Sequence, residues 1–442
     1  VKNTKGDRRY WICAEKGCKA TINTNGQSIT KLGHTSHNHG SSPHQLVADS
    51  IIRGLKRKCQ DDSRPLPVLY DEELSTLRSK EFIDDHPDHN QILQSFPTFE
   101  GCKTALYHSR SKTRPTLPLT RHQIQLDGRW TETLAGERFL LADEGDVERI
   151  LIFATDDNLH HLSRAEIIYG DGTFYASPNL FTQLYSLHAD VDGSIYPLVF
   201  APLPGKSETI YTRFLQLLKD ECLRRRLPLR PLEFFADFEN AARKAIKTVF
   251  PSTELRGCFF HFTQCIWRKT QSLGLAVPYK EDQDIQRFIR RAAVLPLIPI
   301  RHVEDVWFNA LEEIEDHHLD VTRFADYVTD YWIENHQPAE WNHFNTEGPR
   351  TTNNIEGWHS RINKKLTHGH PNIFTVVDLL QKEQAVTEAH RVQISAGGTR
   401  KLQRKKYKRI DARLTTLKRR FIAGNIRLMD YADAASHLLH LD

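Results

Sequence analysis

Long apolar runs are missing from this 442-residue chain. Nothing in it approaches the ~20 consecutive apolar residues of a membrane span, so no membrane partner is expected. No secretory apolar core opens it; the first residue is Val, which leaves an upstream leader open. Cysteine is scarce, seven in all and oddly spaced, which argues against a disulfide scaffold and for a reducing, intracellular compartment. No internal repeat is present, so a solenoid is not expected. At this length one ordinary domain is also excluded, and two to four are expected.

Two further absences are local. Residues 391–420 hold twelve Lys or Arg and one acid, Asp411, a balance of +11. Residues 302–347 hold twelve Asp or Glu and one base, Arg323, a balance of −11. The net charge of +4 hides this segregation, which suggests a polyanion partner for the basic part. A solvated helix face or a nuclear-import signal is the plainer account of the same run. Phosphate contact relies on cations, so the acidic block is not expected to face DNA broadly. It would brace a neighbouring helix or meet a basic surface of its own chain or of a second subunit, with Trp307, Trp332 and Trp341 in a core.

What is present begins with "YWICAEKGCKATINTNGQSITKLGHTSHNHG". Cys13 and Cys18 lie close together, and His37 and His39 follow after 18 intervening residues. Two thiolates and two imidazoles are the stoichiometry of a tetrahedral Zn²⁺ site. "KATINT" and "QSITKLG" read as strands joined at Asn25-Gly26. So small a unit needs a metal to fold. The stretch resembles a FLYWCH-type zinc finger through Tyr10-x-x-Cys13, Trp11 and the His-x-His close. That family's leading Phe and Leu strand is absent; the expected ligands are Cys13, Cys18, His37 and His39, and His34 could stand in for one of them.

"GSSP" at 40–43 reads as a linker. Three helices follow over 45–115, the last ending in His108, Arg110, Lys112 and Arg114, which suits either a helix-turn-helix-like DNA reader or a plain bundle. From 150 the texture turns strand-rich. "AEIIYGDGTFYA", "TQLYSLHADV" and "SIYPLVFAPL" read as an antiparallel meander. Helix "ETIYTRFLQLLKDECLRRR", strand "PLEFFADF", helix "ENAARKAIKTVF" and strand "ELRGCFFHF" come next. Three strands, helix, strand, helix, strand is the order of a ribonuclease-H-like α/β fold. Residues 274–347 read as helical, and "AGGTRKLQRKKYKR" as a flexible joint before a basic segment.

Asp171 and Asp237 each close a strand, and in such a sheet those strands are neighbours. Adjacent carboxylates repel unless a cation lies between them. Mg²⁺ takes hard oxygen ligands, and paired ions serve phosphoryl transfer. Glu356, the lone acid of "TTNNIEGWHSRINKK", opens a basic helix and supplies a third carboxylate, with Arg361, Lys364 and Lys365 placed to meet phosphates. Singly, each has a plainer role: Asp171 opens an Asp-Gly turn, Asp237 caps a helix, and Glu356 answers the helix dipole. Trp358 would stack on an unpaired base or sit in a helix core, and His359 follows the same logic. Cys258, His261 and Cys265 could make half of a second zinc site, a packed pair, or a His that supports the transferred phosphate.

"DGTFYASP", "FFADFENAA", "CFFHFTQCIWRK" and "TNNIEGWHSRIN" together resemble the catalytic domain of Mutator-like (MULE) DDE transposases, over roughly residues 100–390. The resemblance implies an acidic triad of Asp171, Asp237 and Glu356 binding Mg²⁺ or Mn²⁺, the pair Cys258 and His261, and a helical insertion between the second and third acids. It further implies cleavage at transposon ends and joining of the 3′-hydroxyl to target DNA. The expected organisation is a finger at 1–40, a helical DNA-binding region at 41–118, and a catalytic core at 119–273 and 348–390. That core is split by an acidic insertion at 274–347, and a basic segment fills 391–442. Expected partners are double-stranded DNA, as terminal repeats and target, and a second copy of the chain on that DNA; the expected compartment is the nucleus. Arg404, Lys405, Lys406, Lys408 and Arg409 are expected to touch DNA. The alternative is a domesticated zinc-finger DNA-binding protein without catalysis.

Overall fold

A computed structural model describes residues 3–5, 7–13, 16–62, 64–113, 115–314, 319–346, 353–399, 405–439 and 441. It divides into two compact units, Val1–Thr116 and Leu117–Asp442.

The first unit opens with an antiparallel sheet of β1 (Asn3–Lys5), β2 (Arg8–Ile12), β3 (Thr21–Asn25) and β4 (Ser28–Leu32), in that order. Gly26, at φ 57°, makes the β3–β4 turn, a conformation that glycine adopts without penalty. Five helices follow where three were expected: Pro43–Asp61, Leu66–Thr76, Lys80–Asp85, His89–Ser95 and Phe99–Ser111. They share a core that includes Leu55, Leu69, Ile92 and Leu106. Arg110 does not extend a basic surface. Its guanidinium donates to the carbonyls of Cys59 (3.1 Å) and Asp62 (3.0 Å), where the first helix ends and its carbonyls lack intrahelical partners.

The second unit is α/β. Its strands are β5 (Leu140–Glu144), β6 (Ile150–Phe153), β7 (Ile167–Thr173), β8 (Gln183–Val191), β9 (Ser194–Leu203), β10 (Glu233–Ala236) and β11 (Glu254–Gly257). They form one mixed sheet in the order β11-β10-β7-β8-β9-β6-β5. β7, β10 and β11 run parallel; the meander β7-β8-β9 and the β6–β5 pair are antiparallel. Helices cover both faces. Phe214 and Leu218 of helix Glu208–Arg224 and Ile246 of helix Asn240–Val249 pack on Ile168, Leu187 and Phe234. On the other face, Trp358 and Ile362 of helix Asn353–Lys364 and Val377 of helix Ile373–Ser395 pack on Leu184 and Phe200.

The acidic block and the basic C-terminal segment are not separate bodies. Helices Gln283–Val294 and Val303–Glu313 share a core with helices Lys405–Ile422 and Leu428–Ser436, joining Phe288 and Trp307 to Leu414, Tyr431 and Ala435. Arg291, 4% exposed, pairs with Glu313 (2.7 Å) and Asp433 (2.8 Å), and the Tyr431 hydroxyl donates to the Leu297 carbonyl at 2.8 Å. A boundary at 391 therefore separates two segments that make one lobe. The acidic block also meets basic residues of its own chain: Glu340 accepts from Arg243 (2.5 Å) and Lys247 (2.7 Å). Trp307, Trp332 and Trp341 are fully buried.

Candidate functional site

Asp171 lies within β7, paired opposite Ser186 of β8, so it does not open a turn. Glycines flank it for a packing reason. A Cβ at 170 would lie 2.7 Å from the Tyr185 hydroxyl and one at 172 would lie 2.4 Å from Gln183 Oε1. Alternation along the strand then sends Asp171 to the opposite face, under helix Asn353–Lys364. β10 pairs with β7 in the register Phe235↔Tyr169. Asp237 follows the last residue of β10, and carrying that register two residues on brings it beside Asp171, whose carboxyl feels its charge. Asp237 also accepts from the Glu239 amide at 3.1 Å, so it orders the turn into helix Asn240–Val249 as well.

Glu356 is in the first turn of helix Asn353–Lys364, and Ile355 anchors that turn on Tyr169 and Phe235. Its Oε1 is buried with no hydrogen-bond partner among the described residues; His261 Nε2 stands 3.6 Å away. His261 comes from helix Phe259–Ser272, whose start is fixed by the Cys258 amide donating to the Ala236 carbonyl (3.0 Å) beside Asp237. His359, one turn after Glu356, places Nδ1 3.4 Å from Asp171 Oδ2.

Burial sets the electrostatics. It lifts the Asp171 carboxyl to about 6; the Asp237 charge adds to this and His261 works against it. Burial likewise lifts Glu356 to about 7, again opposed by His261. Burial disfavours a charged His261, but hydrogen bonding to Cys258 and the charges of Asp171 and Asp237 prevail and hold it at about 9. His359 is pushed down to about 4 by burial and by the charge of His261. The result is a partly buried cluster of carboxyl groups with one cationic imidazole among them. Hard oxygen donors in this state suit Mg²⁺ or Mn²⁺. The three carboxylates do not all close to within 4.8 Å; among the described residues that spacing is met by the Cys/His group below. Cys258, His261 and Cys265 form no such group either.

Several expected contacts with DNA fall elsewhere. Trp358 is 5% exposed, its ring lies against Phe200, and its indole N–H donates to Glu383 at 3.0 Å. It is a core residue and stacks on no base. Arg361 (2.6 Å) and Lys365 converge on the same Glu383, whose side chain is fully buried in helix Ile373–Ser395. These two cations clamp the helix that carries Glu356, where a phosphate-facing role was expected. His359 is buried and turned to Asp171. Lys364 stays exposed and lines a groove beside Glu356. Lys405, Lys408 and Arg409 are exposed on helix Lys405–Ile422; Arg404 and the Lys406 side chain lie outside the described residues.

Sequence reasoning missed Ser186 and His188. Ser186 Oγ shares hydrogen bonds with His188 Nε2 (2.9 Å) and His359 Nε2 (3.4 Å), which makes a buried polar chain leading to Asp171. The signal was there: Ser186 and His188 alternate on one face of "QLYSLHADV" between apolar Leu184, Leu187 and Ala189, and buried polar groups need partners.

In the first unit, Cys13, Cys18, His37 and His39 bring one donor each to within 4.8 Å of one another. Cys13 Sγ is 3.2 Å from His39 Nε2, Cys18 Sγ 3.5 Å from His37 Nδ1, and the two imidazole nitrogens 3.1 Å apart. Such spacings suit one tetrahedral ion with ~2.3 Å bonds to sulfur and ~2.0 Å bonds to nitrogen. His39 Nδ1 donates to the Gly40 carbonyl at 2.8 Å, which fixes the tautomer that frees Nε2 for a metal. The Ala20 amide holds the Cys18 thiol down at about 6, toward the thiolate that binds metal.

The stretch from β7 to helix Phe259–Ser272 is similar to a known family: the MULE transposase domain model matches residues 167–265. The match spans Asp171, Asp237, Cys258 and His261, and stops before Glu356. No curated protein matches the chain.

Proposed function

We propose that the chain is a DDE-type DNA transposase with a ribonuclease-H-like catalytic core. The observation that carries this is that Asp171 of β7, Asp237 just past the end of the parallel β10, and Glu356 of the covering helix surround His261: the charge of Asp237 acts on Asp171, that of Asp171 acts on Glu356, and His261 Nε2 lies 3.6 Å from Glu356. The order β9-β8-β7-β10-β11, an antiparallel meander followed by two parallel strands, supports the fold, with β6 and β5 as additions at one edge.

Asp171, Asp237 and Glu356 would hold Mg²⁺ or Mn²⁺, and a donor set wider than a single-ion cage suits two ions. Such ions neutralise charge on a transferring phosphoryl group and lower the pKa of bound water. The chain's own residues prepare the site. Burial of Asp171, and in part of Asp237 and Glu356, strengthens the charge interactions around them. His261 offsets their mutual repulsion and can donate a hydrogen bond to a non-bridging phosphate oxygen. The Glu383 clamp fixes the height of Glu356 over the sheet. In-line attack of water on a phosphodiester frees a 3′-hydroxyl, and that hydroxyl attacks target DNA; neither step needs a covalent enzyme intermediate. Cys13, Cys18, His37 and His39 would bind Zn²⁺ as a FLYWCH-type finger, and the finger, the helices of 43–111 and the exposed cations of helix Lys405–Ile422 would hold DNA. A homodimer on DNA and a nuclear location complete the proposal.

The test is cleavage of a plasmid carrying the DNA that flanks the coding sequence, with Mg²⁺. The native chain should cut at the ends and join pre-cleaved ends to a target. Asp237→Asn should lower cutting by at least ~10²-fold, a loss of ~2.7 kcal/mol in transition-state stabilisation, while binding persists. Binding without Mg²⁺-dependent cutting by the native chain would select the domesticated, non-catalytic alternative. Cutting at native rate by Asp237→Asn would remove the triad.

A further inference from the structure

β7 is buried along most of its length, yet two large aromatics follow it into solvent: Phe174 is 50% exposed and Tyr175 41%. Lys206 Nζ stands over the Phe174 ring at 4.6 Å, which leaves Tyr175 as the ring open to a ligand. Tyr175 is also fixed in place. Its carbonyl accepts from the His370 amide at 2.9 Å. Its ring rests on Gly369, where a Cβ would stand 3.1 Å from Cδ2 and 3.2 Å from Cε2. A side chain at 369 would press on the ring and shift it by a few tenths of an ångström.

Tyr175 forms one wall of a groove of about 670 Å³, within the ~300–1,000 Å³ typical of ligand sites. The remaining wall comes from Glu356, His359, Ser360, Asn363, Lys364 and Leu366. Anything seated on Tyr175 therefore lies beside Glu356. The chemistry of the wall is specific. An aromatic ring stacks on a flat π-system, Lys364 attracts a phosphate, and Ser360 and Asn363 offer hydrogen bonds. The Asn363 Oδ1 is buried and has no hydrogen-bond partner among the described residues. An amide whose oxygen is left without a donor is suited to a ligand group that supplies one.

We propose that Tyr175, with Asn363 and Lys364, forms a subsite for one unpaired nucleobase next to the phosphodiester at the carboxylates. The subsite rests on the transposase function proposed above. It takes over the base-stacking task expected of Trp358, which the core has absorbed. A nucleotide splayed from the duplex end stacks on Tyr175, and its phosphate falls toward Lys364. Stacking tolerates any base, so the subsite selects the unpaired state and not a sequence. It draws the strand end open and holds the scissile linkage still.

The probes are fluorescently labelled duplexes of one arbitrary sequence, fully paired, with one splayed terminal nucleotide, or with that nucleotide abasic. Affinity is read by anisotropy. The native chain should bind the splayed duplex roughly 5- to 150-fold tighter than the other two, the factor given by stacking one base on a protein aromatic. Tyr175→Ala should bring the ratio of splayed to paired affinity to one, and Tyr175→Phe should keep it. Equal binding of all three duplexes by the native chain, or a ratio that survives Tyr175→Ala, overturns the subsite and leaves the transposase function standing. No binding to any duplex overturns both. Should Tyr175→Ala fail to fold, the abasic duplex with the native chain still decides.

Discussion

Glu383→Ala should loosen the helix that carries Glu356 without dismantling the sheet. The Glu383 carboxylate is fully buried and accepts from Trp358 Nε1 (3.0 Å), Arg361 (2.6 Å) and Lys365. Breaking a buried ion pair costs ~3–5 kcal/mol when the partner charge is left buried. Here the partners are 45% and 41% exposed, so water takes them back and screening already weakens the pairs. The buried indole N–H has no such recourse, and its lost acceptor costs ~1–3 kcal/mol. Glu383→Gln keeps the shape and one acceptor oxygen, and should cost about 1–2 kcal/mol. Glu383→Ala adds a cavity and should cost about 3–4 kcal/mol. Arg361→Ala or Lys365→Ala alone should cost under ~1 kcal/mol. Hydrogen exchange is the suitable assay, because it reads local opening. Amides of helix Asn353–Lys364 should exchange faster in Glu383→Ala, roughly 100-fold for ~3 kcal/mol, with β8 and β9 unchanged. Native exchange in that helix would refute the clamp. Equal acceleration across the sheet would refute its local character.

Two more outcomes are expected. Metal analysis of the native chain should give one zinc per chain, and Cys13→Ser should lose it; native zinc content in the Ser variant would remove Cys13 from the ligand set. Replacing Lys405, Lys408, Arg409 and Arg413, all exposed, with Gln should weaken binding to every duplex alike and flatten its salt dependence by up to ~0.9 per lost phosphate contact. An unchanged slope would mean that this face meets solvent only.

Much of the second unit was legible because strand and helix periods alternate cleanly there. "AEIIYGD" and "PLEFFAD" each end an apolar run on an acid, and they became the neighbouring strands β7 and β10. β5 did not stand out, and β6 was legible only as the start of a strand-rich stretch that runs into a helix. β6 has four residues, all buried, with no alternation to read, although Thr155 capping the Asn158 amide (3.1 Å) marked that helix. The C-terminal helices hid behind their charge. Leu414, Leu417 and Phe421 recur at helical spacing inside a run dominated by Lys and Arg, and that seam packs on the acidic block. Glu383 gave no local signal at all. An acid in a long helix reads as solvated until the fold brings Trp358, Arg361 and Lys365 onto it.

The lobe that joins Phe288 and Trp307 to Leu414 and Tyr431 also has a history in time. Leu414 is synthesised 107 residues after Trp307, a delay of ~5–20 s at the usual rate of translation. Throughout that interval the indoles and phenyl rings of the earlier segment lack the chain that will cover them. The strands bearing Asp171 and Asp237 are complete well before, and the helix of Glu356 emerges midway through the wait. Chaperone capture on the ribosome should therefore concentrate on nascent chains that have passed Trp307 and not yet reached Leu414. The lobe that packs on Phe238 and Phe262, next to Asp237 and His261 in the chain, is sealed only when the C-terminal helices arrive.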